Sequence, residues 1–154
     1  MSQSQWAVSA ATRFVSQESR ECDKWMMAQL RYQNLLSQAP KLWESITEAL
    51  TSQIRSFNDC VGREVLSLGA TSNRRLTAHA KLAGGRRGLC ADFDTSRCAI
   101  TCSAYSMEGT VDFNDRYGMA INSENNAIIT TPTGGEFSPE QVAERLLNGL
   151  MGWK

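Results

Sequence analysis

The chain has 154 residues, 42% of them apolar and 21% charged, with sixteen basic and sixteen acidic side chains and no net charge. That is enough for one domain with a core of its own, and it excludes wholesale disorder and any general attraction to polyanions. The balance conceals a gradient. Residues 1–68 are neutral, the segment from Arg74 to Arg97 is rich in arginine and lysine, and the part from Cys98 onward is acidic.

The first 68 residues hold one proline, Pro40, and one glycine, Gly62. Phe14, Val15, Cys22, Trp25, Met26 and Leu36 recur at three-, four- and seven-residue separations among charged residues, the pattern of an amphipathic helix over Ser4–Leu36. Ser37-Gln38-Ala39-Pro40 is expected to interrupt it, because proline disfavours helical geometry in the residue before it. A second helix carries the stripe Leu42, Trp43, Ile46, Ala49, Leu50, Ile54, Phe57, Val61, Val65 and Leu68, with Gly69 as its expected end. The expectation is a long helical hairpin over residues 1–68, followed by a sheet and a terminal helix over 70–154, all within one α+β domain.

After Gly69 the apolar period changes from 3.6 to 2. Leu76, Ala78, Ala80 and Leu82 alternate with Arg75, Thr77, His79 and Lys81, and Leu89, Ala91 and Phe93 alternate with Cys90, Asp92 and Asp94. Further strands are expected at Cys98–Cys102, Val111–Phe113, Tyr117–Ile121 and Ala127–Thr131, with a turn at Asn114-Asp115 and another at Ser123–Asn126. Six short strands joined by polar turns predict an antiparallel meander with one apolar face. Ser138, Pro139 and Gln141 then spell a capping box at the start of a last helix, whose inward stripe is Val142, Leu146, Leu147 and Leu150.

Candidate functional residues fall into two groups. On the face opposite the apolar one, Arg75, His79, Lys81, Asp92 and Thr101 are candidate binding residues, and small residues at Ala99, Thr101, Ser103, Gly118 and Ala120 leave that face open to close approach. His79 with Cys90 and an aspartate could in principle activate a thiol, but neighbouring arginines and aspartates equally make surface ion pairs, and no catalytic residue is assigned. The basic run Arg74, Arg75, Lys81, Arg86 and Arg87 could meet phosphates. It lacks exposed aromatics for stacking, so nucleic acid is an unfavoured partner.

The second group is Trp6, Phe14, Trp25 and Trp43 on the helical arms, whose apolar surface exceeds what a six-stranded sheet can cover. The leading expectation is a non-enzymatic module that self-associates as a dimer through these helices. The alternatives are a carrier with an apolar pocket between sheet and helices, lined by Met26, Met27, Met119 and Met151, and a nucleic-acid contact through the basic hairpin. Five cysteines without a C-x-x-C pair, one histidine, no phosphate-loop spacing and no leader-like start imply no metal, no cofactor, no membrane span and a reducing, cytoplasmic setting. No motif ties the sequence to a particular family.

Overall fold

The computed structural model describes residues 4–153. In chain order it contains helix α1 (Gln5–Val61), strands β1 (Leu66–Thr71), β2 (Arg75–Leu82), β3 (Gly85–Asp94), β4 (Ala99–Tyr105), β5 (Val111–Ile121), β6 (Ala127–Thr130) and β7 (Glu136–Phe137), and helix α2 (Pro139–Met151). The architecture is α+β. One antiparallel sheet, ordered β1 through β7 with every strand beside its sequence neighbours, is covered on one face by α2 and the second half of α1.

The expected helical hairpin is instead a single helix of 57 residues, roughly 85 Å long at about 1.5 Å per residue. Pro40 lies inside it. Proline removes one backbone donor and costs an isolated helix roughly 3 kcal/mol. Here the flanking residues are held from outside. Ala39, Trp43, Ile46, Leu50 and Ile54 are buried against the sheet. Gln38 clamps the β5–β6 turn, its Nε2 donating to Asn125 O (3.0 Å) and its Oε1 accepting from Ala127 N (2.7 Å). Tertiary fixation on both sides of Pro40 overrides its local preference.

The helix also ends earlier than its apolar stripe implied. Gly62 adopts a left-handed cap, with φ 88°, and donates to Asn58 O. The Asn58 side chain then accepts from the backbone of Val65 (2.9 Å) and Leu66 (3.0 Å) and donates to Leu66 O (2.8 Å), tying the helix end to the start of β1. Val65 and Leu68, expected on a helix, therefore belong to the first strand and its approach. Gly69 is a strand residue whose missing side chain is required, since a Cβ there would run into Thr77 Oγ1 and lie 3.2 Å from His79 Nε2.

Seven strands replace the expected six. β1 and the two-residue β7 are additional, and the segments expected at Val111–Phe113 and Tyr117–Ile121 are one strand, β5. The turn expected at Asn114-Asp115 does not form, because both polar side chains find partners in the extended chain. Asn114 Oδ1 accepts from Ser103 Oγ (2.9 Å) on the outer face. Asp115, on the inner face, accepts from the Tyr117 hydroxyl and from Arg145 Nε (3.2 Å). Cys98 is not a strand residue; it sits buried in the β3–β4 turn with φ 49°.

Leu76, Ala78, Ala80, Leu89, Ala91, Phe93, Ile100, Cys102, Ala104, Tyr117, Met119 and Ile129 form the inner sheet face, as the period-2 reading requires. Trp43 stacks on Phe93 with ring centroids 5.5 Å apart and donates from Nε1 to Ser72 O (3.1 Å) in the β1–β2 turn. At the opposite end of the core, α2 begins with the expected capping box. Ser138 Oγ accepts from Gln141 N (3.2 Å), and Gln141 Oε1 accepts from Ser138 N (2.9 Å).

Candidate functional site

The most unusual surface is the first half of α1. Tyr32 is the earliest described position on the helix whose side chain bonds to the sheet layer, its hydroxyl donating to Ser96 O (3.2 Å). Asn34 follows, with Nδ2 on Asn125 Oδ1 (2.9 Å). Residues 5–31 run beyond the end of the sheet as an arm roughly 40 Å long. Nearly all of the arm is exposed.

That arm is not a polar helix. Trp6 (78% exposed), Phe14 (64%) and Trp25 (63%) stand in solvent together with Val8, Val15, Met26, Met27 and Leu30. Most of these side chains share one stripe. Val8, Val15, Cys22 and Leu36 fall on one heptad position, Ala11, Glu18, Trp25 and Tyr32 on the other, and Phe14 and Met26 flank them. Trp6 lies about a quarter-turn away from Phe14. Arg13, Arg20, Lys24 and Arg31 are grouped on the opposite side of the helix.

The stripe is continuous with the one that docks on the sheet. Phe14, Tyr32 and Leu50 lie on one line along α1, as do Trp25 and Trp43, because each step spans about five whole turns. Beyond Ala39 the line is buried, and on the arm it is bare. Of the four expected self-association residues, Trp6, Phe14 and Trp25 are exposed on the arm. Trp43 is not available for that role: at 3% exposure it is part of the chain's own core.

The second candidate surface is the outer sheet face, where Arg75, His79, Lys81, Asp92 and Thr101 all lie as expected. The register distributes them in cross-strand rows. Arg75, Asp92, Thr101 and Arg116 form one row over four strands, and Arg75 Nε donates to Asp92 Oδ1 at 2.7 Å. Thr77, Cys90, Ser103 and Asn114 form the next. His79 is in the third row, between Ser67 and Gly88, with Tyr105 beyond, and Lys81 faces Arg86 in the fourth.

His79 therefore faces Gly88 rather than Cys90, and the two glycines at Gly69 and Gly88 give its ring room. The Cys90 thiol is pushed up from its ordinary value, first by burial and then by the negative charge of Asp92. An activated thiol needs the opposite shift. This arrangement holds an exposed ion pair and a protonated thiol.

Two features of the basic run differ from the sequence reading. Tyr105, unremarked in the sequence, adds one half-buried aromatic to the outer face. Arg87 leaves that face altogether. It points inward, its Nε donates to Leu150 O (2.7 Å) and its Nη2 to Gly149 O (3.3 Å), and it grips Asp112 with both terminal nitrogens at 2.7 and 2.6 Å. The guanidinium thus satisfies carbonyls at the C-terminal end of α2, where a helix leaves its last acceptors open. Arg87 is a structural residue, and the cationic patch is reduced to Arg74, Arg75, Lys81 and Arg86.

The space between sheet and helices is filled by core side chains. Two grooves lie along the flanks of α2, one of about 340 Å³ lined by Phe57, Leu66, Leu147 and Met151 and one of about 450 Å³ lined by Phe113, Arg145, Gly149 and Trp153. A shallow one of about 590 Å³ lies on the arm between Asp23 and Arg31. The four methionines expected around a single cavity are dispersed. Met26 and Met27 are exposed on the arm, Met119 is buried, and Met151 borders a groove. Among the described residues no three His, Cys, Asp or Glu side chains converge on a metal-sized site, and no helix is long and apolar enough to cross a membrane.

Comparison with known protein families, curated proteins and solved structures finds no match to this chain.

Proposed function

We propose that this chain is a non-enzymatic self-association module, in which the projecting arm of α1 pairs with the arm of a second copy. The observation that carries the reading is the bare stretch of an apolar stripe whose other stretch is already core. Isolated helices are marginal in water even when their sequence favours them. A long free arm bearing Phe14 and Trp25 on one stripe gains from burying them. The stripe aromatics Phe14 and Trp25 offer on the order of 300 Å², and with Val8, Val15, Cys22 and Met26 the stripe approaches the roughly 600 Å² per partner at the low end of specific interfaces.

The remaining parts of the molecule fit a supporting role. The folded sheet layer is closed by α2 and by the docked half of α1, and it anchors the arm. Five free cysteines suit a reducing, cytoplasmic setting. Sedimentation equilibrium at micromolar concentration tests the reading. The expected mass is twice 17.0 kDa for the parent chain, falling to the single-chain value when Phe14→Ser and Trp25→Ser are combined. A parent chain that sediments as a monomer overturns it.

A further inference from the structure

Resting on that reading, we propose that the two arms pair antiparallel, with each arm's N-terminus stopped against the sheet end of the other copy. Three observations on α1 lead there.

The first is Glu18. It occupies the centre of the apolar stripe, on the same heptad position as Ala11, Trp25 and Tyr32. A parallel, in-register pair would bring identical residues together in every layer. Glu18 would then face Glu18 of the second copy, and like charges on facing positions are repelled. The bulky Trp25 would likewise have to share a layer with its own copy. An antiparallel pair moves each glutamate one layer away from its counterpart.

The second is the distribution of size along the stripe, with Val8 and Ala11 near its start and Trp25 near its end. In antiparallel pairs one heptad position faces the other. With the midpoint between Val15 and Glu18, Trp25 lies over Val8, Cys22 over Ala11 and Glu18 over Val15. The Trp25–Val8 and Cys22–Ala11 layers set a larger side chain against a smaller one, which is how facing positions interdigitate without voids, and the Glu18–Val15 layer pairs side chains of similar volume.

The third is the geometry of the domain end. The arm leaves the sheet where Tyr32 binds Ser96 and Asn34 and Gln38 bind Asn125. Because the bare stripe and the docked stripe are collinear, a helix lying on the bare one heads toward the β3–β4 and β5–β6 turns. Those turns are a physical stop, and they limit the overlap to residues before Tyr32. The midpoint inferred from side-chain size places Gln5 near Ala28 of the second copy, just short of the stop. In a parallel pair the second copy's helix, which continues to Val61, would run past Tyr32 into the same turns and bring the two sheet domains into collision. The antiparallel assembly is a two-headed rod, with the sheet domains at opposite ends and the Arg13, Arg20, Lys24 and Arg31 sides facing outward.

Cysteine cross-linking in the full chain reads the orientation directly, because Cys22 is exposed on the stripe. The background is Cys60→Ser, which removes the other exposed thiol. The test variant adds Ala11→Cys, an exposed helical position that leaves the core untouched. Diamide serves as the oxidant, disulfides are assigned by peptide mass, and the solution mass is recorded in parallel. The expected result is a dimer that forms a disulfide between position 11 of one copy and Cys22 of the other, with no Cys22–Cys22 bond in the background chain. Rapid Cys22–Cys22 bonding in the background dimer overturns the antiparallel arrangement while leaving self-association intact. A dimer that forms neither bond also overturns the proposed register. A monomeric mass overturns the self-association reading itself.

Discussion

The two halves of α1 carry the same stripe and meet opposite fates. In the docked half, Trp43 lies on Phe93, satisfies its indole N–H on Ser72, and is flanked by Ile46 and Leu50. In the projecting half, Trp25 lies on the same line, five turns away, with nothing of its own chain above it. What the sequence encodes is the stripe; what decides burial is where the sheet ends. A helix longer than the surface it covers turns core chemistry into surface chemistry without any change of pattern.

Substitution can separate the halves. Trp43→Ala should produce the largest loss, about 3–5 kcal/mol of domain stability in denaturant unfolding, since it opens a cavity beside Phe93 and removes a satisfied indole. Trp25→Ala should leave the stability of the monomeric domain within about 0.5 kcal/mol and act on assembly instead. Comparable losses of monomer stability from both substitutions would erase the contrast.

Pro40 marks the border between the halves. Replacing it with alanine restores a backbone donor toward Leu36 O and should stabilise the chain by roughly 1–3 kcal/mol, below the full helix penalty because Gln38 and Ala39 already hold the turn. A stabilisation near zero would mean that the docked contacts have absorbed the whole cost. At the other end of the domain, Ser138→Ala removes one half of the capping box and should cost about 1 kcal/mol, with no effect on assembly.

Acid should act on the sheet domain before the arm. Asp94 is held below the ordinary carboxylate value, chiefly by the Ser96 hydroxyl and then by the Arg97 amide, and Asp112 chiefly by its hydrogen bond from Arg87. A carboxylate whose folded value lies below its unfolded value contributes stability that is fully present above about pH 4 and is lost as pH falls through the folded value. Thermal unfolding followed below pH 5 should show that loss. The Asp112→Asn variant should be less stable at neutral pH and lose less on acidification. Both groups are exposed, so the effect is the smallest of the set.

The fold's class and most of its inner face were legible because alternation over β2, β3 and β4 is long and unbroken. Legibility failed where local chemistry was settled by distant partners. Pro40 reads as a break until Gln38 meets the β5–β6 turn. Asn114-Asp115 reads as a turn until Ser103, Tyr117 and Arg145 supply partners for both side chains. β1 offers only Leu66 and Leu68 in alternation, and the helical spacing of Val61, Val65 and Leu68 masks it; Gly62 and Asn58 at the true helix end were the available signal. Arg87 sits two residues before Leu89 and so shares its inward parity, yet an arginine on an apolar face is not expected until the open carbonyls of α2 are seen beneath it. The arm reads as apolar surplus in the sequence, but the break expected at Ser37–Pro40 folds it into a hairpin, and only the partners of Gln38 keep the helix straight.

Hydrogen exchange measured across a dilution series separates the two halves of α1, because it reports on both in one sample. Amides over residues 5–31 should be protected at micromolar concentration and lose that protection on dilution, while those from Trp43 to Phe57 stay protected throughout. If the arm exchanges as a free helix at every concentration, its stripe is not covered by a second copy and the account is wrong.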